Sequence, residues 1–591
     1  MTRLNQTRSC DEARVKGDGN EAMRKLSTAV LLSVMVISPV LAAPIVRSSD
    51  DSGTIYEGAI FDRDWGRPVA TGDLDGDGWD EIIVAASESF GDVMSFVYVM
   101  RGGPDAASQG IVQLMHVGAD LTISGAALND NFGTSIACGD VNGDGVDDLL
   151  ICASGADAGP RVRAGVAYLL YGGPTFFASD TRDMAQTSDW DVKIEGPVTG
   201  GDMGGSNAFG GLDSEAAAIG MLNIDSFGDI ILGVHLANGA SGLDDGGRVY
   251  VILGENFPSG TTLSLANSAH YDTLILGRRQ YDELGDVVKA GDLTGDGLDE
   301  LIIPNRYYSQ TVLASEGAVL IIRGRAVWPA SINLGTTPAD ITLLGVNPYD
   351  GLGEDAAIGD FNGDGILDLA SAAPGVNPGT PDVNINDGAI YGLLGANALQ
   401  IGTITVDYAS ATPNFLIRGE SNESMGAQMS VGDFNGDGYD DIAAGQRFGG
   451  PSSNGTIDIV FGRNFTPGQI FDINVNTDVR IVGNTSDRIA FSIDAADVNG
   501  SGADELIFAS PFNNGSFPNI AGTAYVFSII DGDFDANGIV DLQDFAVYQQ
   551  CASSPAIATP PADACYVFDF LVDQNIDAGD IEGFNEQLDG P

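Results

Sequence analysis

The sequence predicts an all-β fold, a seven-bladed β-propeller closed by an N-terminal strand. Three observations predict it. An acidic nonapeptide of the form DxNGDGxDD recurs seven times at nearly even spacing. Each copy is accompanied by strand-like segments in one fixed order, and the last copy lacks a strand that the beginning of the chain can supply.

The seven loops align on Asp73, Asp140, Met221, Asp292, Asp360, Asp433 and Asp497, with separations of 67, 81, 71, 68, 73 and 64 residues. A period near 70 is too long for a helical hairpin and suits a four-stranded blade with generous loops. Ahead of each loop stands a bulky residue followed by glycine, as in Trp65-Gly66, Phe132-Gly133, Phe209-Gly210, Leu284-Gly285, Leu352-Gly353 and Met425-Gly426, with Phe491-Ser492 in the seventh unit. Apolar runs such as EIIVAAS, DLLICAS and ELIIPN follow the loops and read as buried strands. A third strand (GVAYLLYGG, GRVYVILGE, GAVLIIRGR) and a fourth ending in glycine (LTISG, VKIEG, ITLLG) complete each unit. The seventh unit stops after its third strand, GTAYVFS, while a fourth-type strand, TIYEG at 54 to 58, precedes the first unit. Joining the two uses every strand and leaves no open sheet edge.

Composition agrees. Of 591 residues, 43% are apolar, 80 are glycine and only 18% are charged, which favours turns and short strands over long helices. The net charge of -57, from 83 acidic and 26 basic side chains, disfavours nucleic acid and anionic membrane surfaces as partners. The acids sit at fixed offsets, which points to ligation of cations.

Residues 1–43 read as an N-terminal extension and signal peptide. Met23-Arg24-Lys25 opens a basic segment, 26 to 38 are largely apolar, and cleavage is expected after Ala42 or Ala43. A short basic n-region favours Met23 as the start. No later apolar run reaches about 18 residues, so no membrane-spanning helix is expected. The chain is therefore expected to be secreted, extracellular or associated with the cell surface. Cys551 and Cys565 flank a Pro/Ala/Ser loop and are expected to pair; Cys138 and Cys152, on either side of one acidic loop, are either a second pair or two separately buried thiols.

The acidic loops carry the chemistry. In the second, Asp140, Asn142, Asp144 and Asp148 place side-chain oxygens at positions 1, 3, 5 and 9, glycines at 4 and 6 allow the tight turn, and the carbonyl of position 7 is free to turn inward. Calcium takes six to eight hard oxygen ligands, which one such loop nearly supplies. The same positions give Asp73, Asp75, Asp77 and Glu81; Asp292, Thr294, Asp296 and Glu300; Asp360, Asn362, Asp364 and Asp368; and Asp433, Asn435, Asp437 and Asp441. The seventh, Asp497, Asn499, Ser501 and Glu505, has less charge and is expected to bind weakly. In the third, Met221 and Ser226 leave only Asn223, Asp225 and Asp229, and no calcium is expected. About six calcium ions are expected in the propeller.

These units resemble the FG-GAP repeats of the integrin alpha-chain propeller over residues 44–530; the Gly-Ala-Pro element is reduced to AAP at 372 to 374 or ASP at 509 to 511. The resemblance implies calcium-supported extracellular recognition, with partners on the face away from the calcium loops. The interval between the second and third loops is too short for an inserted ligand-binding domain.

Residues 531–591 change character. Asp533, Asp535, Asn537, Asp541 and Asp544 fit a twelve-residue EF-hand-type loop, with Asp at position 12 where EF-hands use Glu. A second, eroded copy has Asp569, Asp573, Asn575, Asp577 and Asp580. This resembles a dockerin-type helical module holding one or two calcium ions. The resemblance implies a cohesin-like partner; a metal-stapled cap without a partner is the alternative.

Two functions follow as expectations. The first is a non-enzymatic adhesion or recognition module that binds an extracellular protein or glycan on the propeller face. The second is a secreted carbohydrate-active enzyme or lectin. Against catalysis, the carboxylates in motifs are committed to calcium, no GxSxG, HExxH or Cys/His pattern stands out, and no catalytic residue is assigned. Tyr307-Tyr308 after Arg306, and Trp190 near Lys193, either line a sugar site or pack the core and rim.

Overall fold

Apolar second strands decide the architecture. In Asp148–Ala153 every residue is buried. Leu149 and Ile151 pack into a cluster shared with the first unit's Ile83 and Val97. Leu150 and Cys152 pack into a cluster shared with the third unit's Ala217 and Ile230. A strand covered on both faces needs a continuous apolar run rather than an alternating one. Each fully buried aliphatic side chain there contributes about 2 kcal/mol through removal from water.

A computed structural model describes residues 45–48, 54–57 and, with short breaks, 65–529. The signal segment, Phe209-Gly210 and the whole 531–591 module, with its Asp533, Asp535, Asn537, Asp541, Asp544, Asp569, Asp573, Asp577 and Asp580 and with Cys551 and Cys565, lie outside the described residues. Among the described residues the secondary structure is almost wholly strand, the exceptions being a 3-10 turn at Asn397–Gln400 and one helical turn at Ile473–Asn476.

The strands form seven sheets of five, and the fold is a seven-bladed β-propeller. The second blade shows the plan. Phe132–Gly139, Asp148–Ala153, Val166–Leu170 and Val192–Glu195 are antiparallel neighbours, with Val166 opposite Ala153 and opposite Glu195. A fifth strand, Thr261–Ser264, comes from the third unit and pairs parallel to Val192–Glu195. The sequence predicts four strands per blade; the fifth is a correction. These added strands, such as Thr181–Asp183 and Ser331–Asn333, are three or four residues long and half-exposed, so they carry no hydrophobic period. Six of the seven lie between the third and fourth strands of their own unit and cover the outer edge of the preceding blade.

Closure follows the strand count and goes beyond it. Thr54–Glu57 completes the seventh blade, antiparallel to Thr523–Phe527 with Thr54 opposite Val526. Gly110–Gln113 of the first unit then adds the parallel fifth strand. A second N-terminal strand, Ile45–Ser48, adds to the sixth blade, parallel to Val479–Val482. The ring is thus locked at two consecutive blades.

The aromatic-glycine pair has a packing role. Phe132 is fully buried and meets Tyr168 edge-on at 6.1 Å. In the fifth blade, Leu352 forms a bridge to Gly317, which opens the third strand of the fourth blade at φ +78°; a Cβ there would lie 2.1 Å from the Leu352 carbonyl oxygen. Only glycine lets the backbones approach this closely. Cys138 and Cys152 are both free thiols. Cys138 packs toward the first blade and Cys152 toward the third, so the two lie on opposite faces of one sheet and do not pair.

Candidate metal sites in the acidic loops

Every acidic loop joins the first strand of a blade to the second, so all seven lie on one face of the ring. In six of them the winding is set by two left-handed glycines. In the first loop these are Gly76 at φ +76° and Gly78 at φ +92°. The turn directs three amides at the first carboxylate: Gly76 and Asp77 donate to Asp73 Oδ1 at 2.8 and 3.1 Å, and Gly78 donates to Oδ2 at 3.1 Å. Asp140 receives the same three bonds from Gly143, Asp144 and Gly145, and Asp292 from Gly295, Asp296 and Gly297. Asp360, Asp433 and Asp497 keep the bonds from positions 5 and 6.

The ninth residue is the buried anchor. Glu81, Asp148, Asp229, Glu300, Asp368, Asp441 and Glu505 are all fully buried. Asp148 Oδ2 accepts the Val141 amide at 3.0 Å, while Oδ1 accepts Asn142 Nδ2 at 3.1 Å and the Gly172 amide, beyond the third strand, at 2.9 Å. Asn362 and Asn499 donate in the same way to Asp368 and Glu505. Thr294 lies 3.5 Å from Glu300 through its hydroxyl, and Asn435 instead accepts the Asp437 amide at 2.9 Å. Burial pushes these carboxyls up, Glu81, Glu300 and Glu505 to about 8 and Asp148 and Asp368 to about 7, and Asp441 rises for the same reason.

In the first loop, oxygens of Asp73, Asp75 and Glu81 all lie within 4.8 Å of one another, the donor chemistry of a hard cation. Arg101 Nη1 also reaches Asp75 Oδ2 at 3.1 Å. Position 5 behaves differently. Asp77, Asp144, Asp296, Asp364 and Asp437 accept the amide two residues on, as Asp77 Oδ1 does from Trp79 at 3.1 Å, and Ser501 Oγ receives the Ala503 amide. Of the four side chains predicted to converge in this loop, the structure thus gathers positions 1, 3 and 9. In the third loop Met221 is exposed, neither Ile224 nor Ser226 is left-handed, and Asp229 still keeps its bonds from Leu222 and Gly254. The ninth carboxylate therefore staples its blade even where the first ligand is missing.

Position 8 has a role that the ligand pattern does not assign. Asp299 Oδ2 accepts the Met221 amide of the preceding blade at 2.7 Å, and Asp440 Oδ2 accepts the Asp360 amide at 2.7 Å. The backbone adds a second series, in which Gly173 donates to the Leu74 carbonyl, Ala396 to Leu293, and Gly103 to Val498 across the closure. The first Asp of the DD or DE pair that ends the loop is the signal that would have pointed to it.

Fold and loops together define a seven-bladed β-propeller that carries FG-GAP repeats. The FG-GAP repeat matches residues 65–113, 132–170 and 425–460. Among curated proteins, phosphatidylinositol-glycan-specific phospholipase D of Rattus norvegicus is 30% identical over 188 residues, covering 30% of this chain and 20% of that protein. The Dictyostelium discoideum protein of the same name is 28% identical over 202 residues, covering 32% and 21%. Integrin alpha-IIb of Mus musculus is 32% identical over 127 residues, covering 20% and 12%. The chain thus matches about a fifth of the length of the first of these relatives. Two solved structures, of exotype rhamnogalacturonan lyase YesX and rhamnogalacturonan lyase YesW, align over 78% of this chain and 72% of theirs at 12% identity, with TM-scores of 0.33 and 0.31, too low to bear on function. Among the described residues no helix is long and apolar enough to cross a membrane.

Proposed function

We propose that this chain is a secreted recognition module of the adhesion class, in which calcium held by the acidic loops stiffens one face and the opposite face binds an extracellular protein or glycan. The observation that carries the reading is the placement of aromatic side chains. Tyr281, Tyr349 and Phe448 are each more than half exposed, and all three lie in connections on the face opposite the acidic loops. Exposed aromatics are what binding surfaces retain and solvated surfaces avoid.

The oxygen sets at positions 1, 3 and 9 fit calcium. Asp73, Asp75 and Glu81 would hold it in the first blade, with equivalent sets in the second, fourth, fifth, sixth and, more weakly, seventh. Bound there, the ion supplies counter-charge to buried carboxylates and contributes folding energy. The activity in the phospholipase name belongs to a protein of which the match spans a fifth, and no catalytic role is proposed here. Residues 531–591 either dock a cohesin-like partner or cap the chain.

Melting curves with calcium and with EDTA, combined with an array of glycans and purified extracellular matrix proteins, test this. A Tyr281→Ser, Tyr349→Ser, Phe448→Ser variant should keep its calcium-dependent Tm and lose array binding. Binding that survives the variant places recognition elsewhere. A Tm indifferent to EDTA removes calcium from the reading.

A further inference from the structure

The sixth residue of the second strand is small and apolar in four blades, as Ala86, Ala153, Val234 and Ala373. It is Ser510 in the seventh blade and Gln446 in the sixth, where the Gln446 amide donates to Asp458. In the fourth blade it is Asn305, which is 4% exposed. Among the described residues neither Asn305 Nδ2 nor Oδ1 has a hydrogen-bond partner. A buried amide left this way costs about 1–3 kcal/mol.

Asn305 lines a cavity of about 280 Å³ on the face opposite the acidic loops. The polar side of the cavity holds Arg278 and Asp282. The Arg278 guanidinium lies 3.8 Å above the Tyr308 ring and donates through Nη2 to the Ser309 carbonyl. Its Nε, also without a hydrogen-bond partner among the described residues, stands 3.8 Å from Asp282 Oδ2. The rest of the lining is mostly apolar, with Leu320 on the same sheet face as Asn305, Leu284, Leu334 and Ala339 beside it and the Thr342 hydroxyl as a further polar group, and the rim at Gly335, Thr336 and Pro338 is exposed.

We infer that this cavity is a binding site for one neutral sugar ring. The chemistry selects the ligand in three steps. Asn305 offers a donor and an acceptor side by side and Arg278 Nε a further donor, which suits adjacent hydroxyls that each give and take a hydrogen bond. Arg278 and Asp282 cancel in charge, so neither an anion nor a cation gains from entering. The leucines beside these polar groups offer contact to the C–H face of a pyranose, and the volume sits at the small end of ligand pockets, room for a ring but not a chain. The exposed rim admits a terminal sugar residue.

This deepens the recognition reading above and rests on it for the class of partner. Calorimetry and saturation-transfer NMR on the calcium-loaded full chain test it with glucose, galactose, mannose, fucose, xylose, rhamnose and N-acetylglucosamine, and with glucuronate as the charged control. The expected result is saturable binding of at least one neutral pyranose at one site per chain, with glucuronate weaker. Asn305→Ala installs the residue three other blades carry, so it should hold or raise the Tm while weakening the sugar about tenfold or more. Thr336→Trp, at the exposed rim, should block entry without touching the core. Binding of no pyranose, or binding that both variants retain, overturns the site. So does an Asn305→Ala variant that melts lower and leaves no binding difference, because the amide is then a structural group. A protein or polysaccharide held through Tyr281, Tyr349 and Phe448 by a chain that takes up no monosaccharide leaves the recognition reading standing and removes only the pocket.

Discussion

Asp504 and Asp433 hold each other across the boundary between the seventh and sixth blades. The Asp433 amide donates to Asp504 Oδ2 at 2.8 Å, and the Asp504 amide donates to the Asp433 carbonyl at 3.0 Å. Gly432 makes room for this, since a Cβ on it would lie 2.7 Å from Asp504 Oδ2. Burial raises the Asp504 carboxyl to about 6, and what it supplies to the neighbouring blade is an acceptor oxygen for the Asp433 amide. Asp504→Ala should therefore lower stability in urea unfolding by about 1–3 kcal/mol, the cost of stranding a partly buried amide. Asp504→Asn, which keeps one acceptor oxygen, should lose less than half of that. Gly432→Ala should cost at least as much as Asp504→Ala, and an equal loss in the Asn and Ala variants would show that the charge is what matters.

The two N-terminal strands make separable contributions. Removing residues 44 to 50 takes only the outermost strand from the sixth blade, where Ile45–Ser48 pairs on one side. Removing 44 to 60 also takes Thr54–Glu57, which bridges Thr523–Phe527 and Gly110–Gln113 inside the seventh blade. The shorter deletion should lower the calorimetric Tm and leave one sharp transition. The longer one should abolish cooperative unfolding; a single sharp transition after it would refute closure as the organising contact.

Much of this was legible because the repeat supplies its own controls. Seven loops in register, and a missing strand matched by TIYEG, follow from the chain alone. What escaped is tertiary. The fifth strands are too short and too exposed to show a period, as Thr181–Asp183 illustrates. Cys138 and Cys152 are near in sequence, yet strand parity turns them to opposite faces: Cys138 stands opposite Leu149, three residues from Cys152 on the same strand. Asp504 looked like one more acid in an acidic loop, and its partner lies 71 residues away. The cavity at Asn305 is assembled from residues 278 to 342, which no local pattern joins.

The third loop offers a gain-of-site test. The other six copies pass through left-handed glycines at positions 4 and 6, such as Gly143 at φ +76° and Gly145 at φ +86°, while Ile224 and Ser226 stand there in the third. Met221→Asp alone restores a carboxylate without the turn that aims it. The combination Met221→Asp, Ile224→Gly, Ser226→Gly should raise calcium per chain by about one ion in equilibrium dialysis, and Met221→Asp alone should not. Equal stoichiometry in the triple variant and the parent would detach calcium from this loop pattern.

Stability should also fall as pH rises when calcium is withheld. Burial raises Asp229 to about 7, Glu283 to about 7 and Asp350 to about 6. A carboxyl whose folded pKa lies above its unfolded value binds more protons in the folded state, so its stabilisation is complete below the unfolded value and is lost as pH climbs through the folded one. The window runs from about pH 4 to about pH 7. Asp229 belongs to the loop without a first-position carboxylate, which separates its titration from calcium binding. In EDTA the Tm should be higher near about pH 5 than near about pH 8 by on the order of a few degrees, after allowance for screening of these partly accessible groups. Asp229→Asn lowers stability at both ends by losing an acceptor, and it should flatten the slope. A Tm that climbs across this window would mean that the carboxylates are held ionised by a counter-charge, and the Asn variant then decides whether Asp229 is among them.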